Sequence, residues 1–376
     1  MSTESPSLTL FTALASLAVV GAGCPTADPG AESPAPGASD EPTPATTPES
    51  ESPELQTIQI PAEGVDLEGV LHLPVGQEPV PAILLVHGSG PASRDQPTPG
   101  QLNMAFGFTI PVFAQLAAAL TQRGFAVLRY DKRSCGRFNG LCDNDYPPPP
   151  DDLTIDAFID DARRAVEFLA AHPRVDADRV FVVGHSQGAT LLPTLLSHSS
   201  TARAGVMIAG NFDPIDRLVA NQLAATQHLL AGQGLTPEQI DAIPAVASLT
   251  EMAQQLAALR AGTHDGTPIG GAPAAFWRSY FDQHERAIAQ AAQLDRPLLA
   301  LRGSYDWNID SNQWEKWRNT LQASPHAGLH DAVELPCVTH ALNCVSEPDW
   351  HKIKPEDIGR EVSETVVEAI VGFLAT

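Results

Sequence analysis

Residues 184–188 read Gly-His-Ser-Gln-Gly, directly after the apolar run Val180 to Val183 and directly before a leucine-rich stretch with helical spacing. A free serine hydroxyl is a weak nucleophile, and it becomes a useful one when a base takes its proton. Strand before and helix after put Ser186 on a sharp turn, and glycine on both sides removes the Cβ groups that would clash there. The turn lifts the hydroxyl above the strand end. It also points the N–H of Gln187 and the helix N-terminus at any oxyanion that forms beside the serine. The chemistry on offer is attack on a carbonyl carbon. His185, beside the serine, reads as a structural companion rather than as the base.

Two further stretches belong with this one. "LLVHGSGPASRDQ", residues 84–96, closes the third predicted strand, and "VLRYDKRSCGRF", residues 127–138, closes the fourth. Together with the Gly-x-Ser-x-Gly turn they resemble the α/β-hydrolases, and within them a bacterial esterase-like branch with a His-Gly-Ser-Gly-Pro segment and an Asp-Lys-Arg-Gly segment. Ser134 and Cys135 stand where the second segment usually has glycine. The resemblance covers about residues 55–376 and is weakest between 211 and 294. It implies that the loop after the third strand gives a second oxyanion N–H, at Ser89 or its immediate neighbours.

The resemblance also orders a triad along the chain as serine, acid, histidine. Of the 12 histidines, only His326, His330, His340 and His351 lie beyond the seventh predicted strand. His340, in "CVTHALNC", falls in the loop after the last strand, where the family carries its base. His326 and His330 come too early and His351 too late. Asp306, in the turn after "PLLALRG", is placed to orient the base, with Asp310 as its competitor; a helix-capping or solvated aspartate is the plain alternative for either.

These residues need elements to hold them. Apolar and β-branched runs predict eight strands, at Gln56–Pro61, Asp66–Leu73, Ala82–His87, Ala126–Tyr130, Arg179–Gly184, Ala204–Ala209, Pro297–Arg302 and Asp331–Leu335. Helical patterns fall at Ile110–Arg123, Thr154–His172, Gln187–His198 and Ser311–Gln322, with a last helix at Glu356–Leu374. The alternation implies an α/β fold, with an eight-stranded, mostly parallel sheet covered by helices on both faces. From about 211 to 294 the pattern is helical only, which reads as a cap inserted into the domain. Trp277 and Tyr280 in that interval are at helical spacing and belong either to the core or to the wall of an acyl pocket.

The composition narrows the partners. A balance of 22 Lys+Arg against 45 Asp+Glu gives a net charge of −23, which argues against nucleic acid and anionic membrane surfaces as partners. Residues 1–55 hold eight acidic residues and no Lys or Arg. Residues 1–23 read as a signal peptide, with an apolar segment from Leu8 to Gly23 too short to span a bilayer. "VVGAGC" resembles a bacterial lipoprotein cleavage box that would leave Cys24 lipidated at the start of the mature chain. Gly21 stands where that box usually has Leu, and the first nine residues carry no positive charge. Residues 24–55 follow as a tether, with eight prolines between Pro25 and Pro53 and too few apolar groups to offset the entropy of ordering. The folded domain is expected over 56–376, exported and reaching a membrane only through that anchor.

Four cysteines remain, Cys135 with Cys142 and Cys337 with Cys344, each pair seven residues apart. In an exported chain the even count reads as two local disulfides. The alternative, a zinc site from Cys337, His340 and Cys344, lacks a fourth ligand. Nothing in the residues implies a cofactor. The expected activity is hydrolysis of a small-molecule carboxylic ester through an acyl-enzyme. A peptidase, thioesterase or acyl-transferase would use the same three residues, and fold does not choose among them. A non-catalytic surface binding lipoprotein is disfavoured, because all three positions carry competent side chains.

Overall fold

A computed structural model describes residues 52–97, 108–232, 234–306, 308–347 and 355–375. The apolar N-terminal segment, Cys24, the proline-rich stretch to residue 51 and His351 lie outside the described residues. The chain opens on β1 (Glu54–Ala62), which begins inside the stretch read as tether, and β2 (Val65–Leu73), an antiparallel hairpin. Then come β3 (Val80–Val86), α1 (Val112–Gln122), β4 (Ala126–Tyr130), α2 (Asp156–Ala170), β5 (Val175–His185), α3 (Gln187–His198) and β6 (Ala202–Ile208).

Four helices separate β6 from the next strand: α4 (Ile215–Gly232), α5 (Pro237–Asp241), α6 (Pro244–Arg260) and α7 (Ala274–Ala291). The sheet resumes with β7 (Leu298–Gly303), α8 (Ser311–Gln322) and β8 (His330–Leu335). The strand order is β1-β2-β4-β3-β5-β6-β7-β8, parallel from β4 to β8, with β2 antiparallel to β4. All eight predicted strands are there. The inner ones are buried on both faces, so their sequences are unbroken apolar runs, such as Ile83-Leu84-Leu85 and Val180 to Val183.

The order explains how both faces are covered. From β3 the chain steps to β4 on one side, and from β4 through β8 it moves the other way. Right-handed crossovers then put α1 on one face and α2, α3 and α8 on the opposite one. The chain therefore reverses direction beside β3, and in open α/β sheets the crevice beyond the strand ends at such a reversal is where ligands bind.

One sequence expectation is overturned. The segment read as the start of a last helix at Glu356 is instead a short 3₁₀ turn (Pro355–Asp357) and a strand, β10 (Ile358–Val362), antiparallel to β9 (Asn343–Val345). The last helix, α9, runs Glu364–Leu374. Acidic and aliphatic residues between 356 and 362 have helical spacing, but their backbone groups are taken by a strand from the loop that carries His340. No helix among the described residues is long and apolar enough to cross a membrane.

Candidate active site

Ser186 joins the end of β5 to α3 with φ 53° and ψ −113°. A non-glycine residue at positive φ is strained, on the order of 1–3 kcal/mol. What enforces it is packing. A Cβ on Gly184 would lie 2.5 Å from the Gly188 carbonyl oxygen, and one on Gly188 would strike the backbone oxygens of Val86 and His87. The two glycines thus let α3 begin directly against the ends of β5 and β3, and the serine N–H is held by Ile208 O at 2.8 Å.

Three strand ends then bring three side chains together. His340 Nε2 lies 3.2 Å from Ser186 Oγ, and His340 Nδ1 lies 2.8 Å from Asp306 Oδ2. Asp306 is buried, and its other oxygen accepts the N–H groups of Asn308 and Ile309, both at 3.0 Å. With the carboxylate accepting, Nδ1 carries the imidazole proton and Nε2 is free to accept the serine proton. Asp310 takes no part. It caps α8, accepting from Gln313 N at 2.8 Å. His330 opens β8 and His326 precedes it, so neither is in the loop that meets Ser186.

The loop that carries His340 is fixed on several sides. Tyr305 N donates to Val338 O and Cys337 N to Ser304 Oγ, each at 3.0 Å, which ties the acid turn to the base loop. Asn343 Nδ2 donates to Gly359 O at 2.9 Å across the β9–β10 pair. Cys337 and Cys344 are disulfide-bonded, with Cα atoms 4.9 Å apart, and so are Cys135 and Cys142 at 5.4 Å. With both sulfurs in that bond, and His340 between Asp306 and Ser186, the zinc alternative has lost its donors.

His185 and Gln96 complete the frame. Gln96 Oε1 accepts the Gly88 N–H at 2.8 Å, which turns its amide nitrogen towards His185 Nδ1, also at 2.8 Å. Nδ1 is then an acceptor, so Nε2 carries the proton and donates to the backbone oxygen of His340 at 2.8 Å. Burial, and the neighbouring His340, push His185 down to about 3, so it stays neutral and keeps this tautomer. Gln96 lies inside the stretch that marks the family, but nothing local in the sequence gives it this partner.

The remaining predicted positions are Ser89 and Gln187. Among the described residues neither backbone N–H has a protein acceptor. A Cβ on Gly88 would lie 3.3 Å from Ser186 Cβ, so the 88–90 loop passes directly beside the serine. Both N–H groups are thus uncommitted, one in the loop beside the serine and one on the residue that follows it. Trp277 and Tyr280 are both buried on α7, in contact with Phe276, and the Tyr280 hydroxyl faces the side chains of Gln187 and Asn211.

The chain's similarity to other proteins agrees with this architecture. Residues 83–351 match the sequence model of the alpha/beta hydrolase family. Esterase EstD of Thermotoga maritima is 32% identical over 257 residues, 68% of this chain and 53% of that protein. This chain therefore spans about half the length of that relative. Polyketide transferase ATR5 of Stachybotrys chlorohalonatus is 31% identical over 127 residues, 32% of this chain and 40% of that protein. Among solved structures, the alpha/beta hydrolase GrgF from Penicillium sp. sh18 superposes with a TM-score of 0.51 at 15% identity, covering 85% of this chain and 98% of that one. With its sheet order, its serine turn at the end of β5 and a family match across most of its length, the chain belongs to the alpha/beta hydrolase family.

Proposed function

We propose that this protein is a serine hydrolase that cleaves small-molecule carboxylic esters through an acyl-enzyme. The observation that carries the reading is the unbroken chain from Ser186 Oγ through His340 to Asp306, with the N–H groups of Ser89 and Gln187 uncommitted beside it. Ser186 Oγ attacks the ester carbonyl while His340 Nε2 takes its proton. Asp306 stabilises the resulting imidazolium, and the two N–H groups hold the oxyanion. The intermediate collapses, and the departing alcohol takes the proton back from His340. A water then attacks the acyl group by the same route, with His340 as base, and the carboxylic acid leaves.

Esterase EstD supports an ester substrate. A second reading, acyl transfer to an alcohol in place of water, has its own support in the similarity to a polyketide transferase. Assay of purified protein on p-nitrophenyl esters of graded chain length, with and without an added alcohol and beside aminoacyl substrates, separates the three activities. Ester turnover to free acid is expected. Release of amine from aminoacyl substrates at a comparable rate would make it a peptidase.

The exported, lipid-anchored location is also part of the proposal. It is supported by the apolar segment before Cys24 and by the two disulfides, which persist in oxidising compartments. Cys24→Ser is expected to move the protein from washed membranes to the soluble fraction with kcat unchanged. A variant retained in the membranes would replace the lipid anchor with an uncleaved signal anchor.

Closing a loop of seven residues' separation between Cys337 and Cys344 removes about 2 to 3 kcal/mol of freedom from the unfolded chain. His340 sits near the middle of that loop. A displacement of about 1 Å can cost about 100-fold in rate, but β9 and the Asn343 to Gly359 hydrogen bond limit the drift. The Cys337→Ser/Cys344→Ser protein is therefore expected to lose up to about tenfold in kcat while still folded by circular dichroism. Full activity in that variant would show that the strands alone hold the base.

A further inference from the structure

Lys132, the first residue but one after β4, has no task in the scheme above. Lysine is almost never fully buried without a partner, yet Lys132 is 5% exposed. Its neighbours are ion-paired, Asp131 with Arg94 and Arg133 with Asp161. Among the described residues, Lys132 forms no ion pair of its own. Its ammonium has three protons and faces three oxygens instead: Gly88 O at 2.8 Å, Gly90 O at 3.1 Å and Gln187 Oε1 at 2.7 Å. The ring of Phe158 lies 4.8 Å from Nζ. Burial draws its pKa down to about 7, with the charge of Asp161 pulling the other way. Burying an ammonium is costly, and a methionine would fill the same space without that cost. Packing alone does not account for a lysine here.

The three acceptors share one property: each belongs to the frame of the oxyanion site. In a trans peptide the C=O and the following N–H point to opposite sides. Gly88 O and the Ser89 N–H are the two ends of one such unit. Anchoring the oxygen on Lys132 therefore turns the Ser89 N–H the other way. The grip on Gly90 O fixes the next turn of the loop, and the grip on Gln187 fixes the residue that offers the second N–H. Gly88's own N–H, in the preceding peptide, is held by Gln96, so the backbone is fastened on both sides of the Gly88 Cα.

We propose that Lys132 is the positioning residue of the oxyanion hole: its ammonium locks the Gly88–Ser89 peptide and Gln187 so that both N–H groups meet the substrate oxygen as it becomes charged. The inference rests on the serine-hydrolase reading. Donors held in place before the reaction cost no reorganisation during it, which is why their loss is felt in the transition state rather than in ground-state binding.

The test compares Lys132→Met with the unsubstituted protein on a p-nitrophenyl ester and on a trifluoromethyl ketone, which adds Ser186 Oγ to form a tetrahedral oxyanion. Expected are a kcat about 100-fold lower, the range for loss of one oxyanion donor, with KM within about twofold. The ketone should weaken by the same factor as kcat/KM, with the protein still folded by circular dichroism. A kcat within about threefold of the original, or a fall in kcat with ketone affinity unchanged, would overturn the role. Should the Met protein fail to fold, Lys132→Gln is read on the same two measurements, with the same direction of change expected and the same results overturning. Ser186→Ala runs in parallel. If the unsubstituted protein is inert, or Ser186→Ala keeps its activity, the hydrolase reading fails; if that control behaves and Lys132→Met keeps full kcat and ketone affinity, only the role of Lys132 fails.

Discussion

Ser186→Ala is expected to lower kcat for ester hydrolysis by about 10⁶, the cost of removing the nucleophile of such a triad, while leaving the fold and its thermal midpoint unchanged. The stability half of that expectation follows from the turn. Ser186 holds φ 53° because α3 starts hard against β3 and β5. Alanine keeps the Cβ and so pays the same strain, whereas Ser186→Gly would relieve it and should raise the midpoint slightly. Losing Oγ also leaves no costly orphan, since its imidazole partner at 3.2 Å is part exposed and can turn to water. The activity half is read two ways, by turnover and by labelling with an organophosphonate that should mark Ser186 alone. A Ser186→Ala protein that kept a tenth of its esterase activity would place the nucleophile elsewhere.

What could be read from the sequence divides by distance along the chain. The inner strands of the main sheet were legible because strands buried on both faces carry their signal locally, as in Leu298-Leu299-Ala300-Leu301. The turn at Ser186 was legible for the same reason, with both glycines within two residues of it. Ser186, Asp306 and His340 could be nominated because each follows a strand that could be recognised, and the structure brings those strand ends together. β9 and β10 were not legible. They have three and five residues, and what makes them strands is pairing across the 346–357 interval, a partner that no local pattern announces. The helix expected from Glu356 failed on the same ground.

The supporting shell of the site lies furthest from sequence reading. Lys132 reaches Gly88 and Gln187 across 44 and 55 positions, Gln96 reaches His185 across 89, and His185 reaches His340 across 155. Each residue stands inside a stretch that could be recognised, but its role is set by the crossing of β3, β4 and β5 in the sheet. The order β4-β3-β5 puts the loops after all three strands at one end of the sheet, and only then does a buried ammonium find three oxygens. The turn at Ser186 is announced by its own neighbours in sequence; the contacts of Lys132, Gln96 and His185 are announced only by topology.

Asp306→Asn is expected to lower kcat by about 10⁴ with little change in KM, and the hydrogen bonds at the site give the reason. Asp306 Oδ1 accepts two backbone N–H groups, at 3.0 Å each, and Oδ2 accepts His340 Nδ1–H. An asparagine amide must keep its oxygen on the two backbone donors, because turning it over would set N–H against N–H twice. Its nitrogen then faces His340 Nδ1, which has to become an acceptor. The imidazole proton moves to Nε2, and that nitrogen now donates to Ser186 Oγ where it should receive a proton. The geometry survives and the base is lost. Asp310→Asn supplies the contrast, since asparagine caps a helix about as well as aspartate and Gln313 N needs only an acceptor there; its kcat should stay within about twofold of the original. If Asp310→Asn were the crippling change and Asp306→Asn the mild one, the acid would be Asp310 and the hydrogen bond at 2.8 Å from His340 to Asp306 would be without catalytic weight.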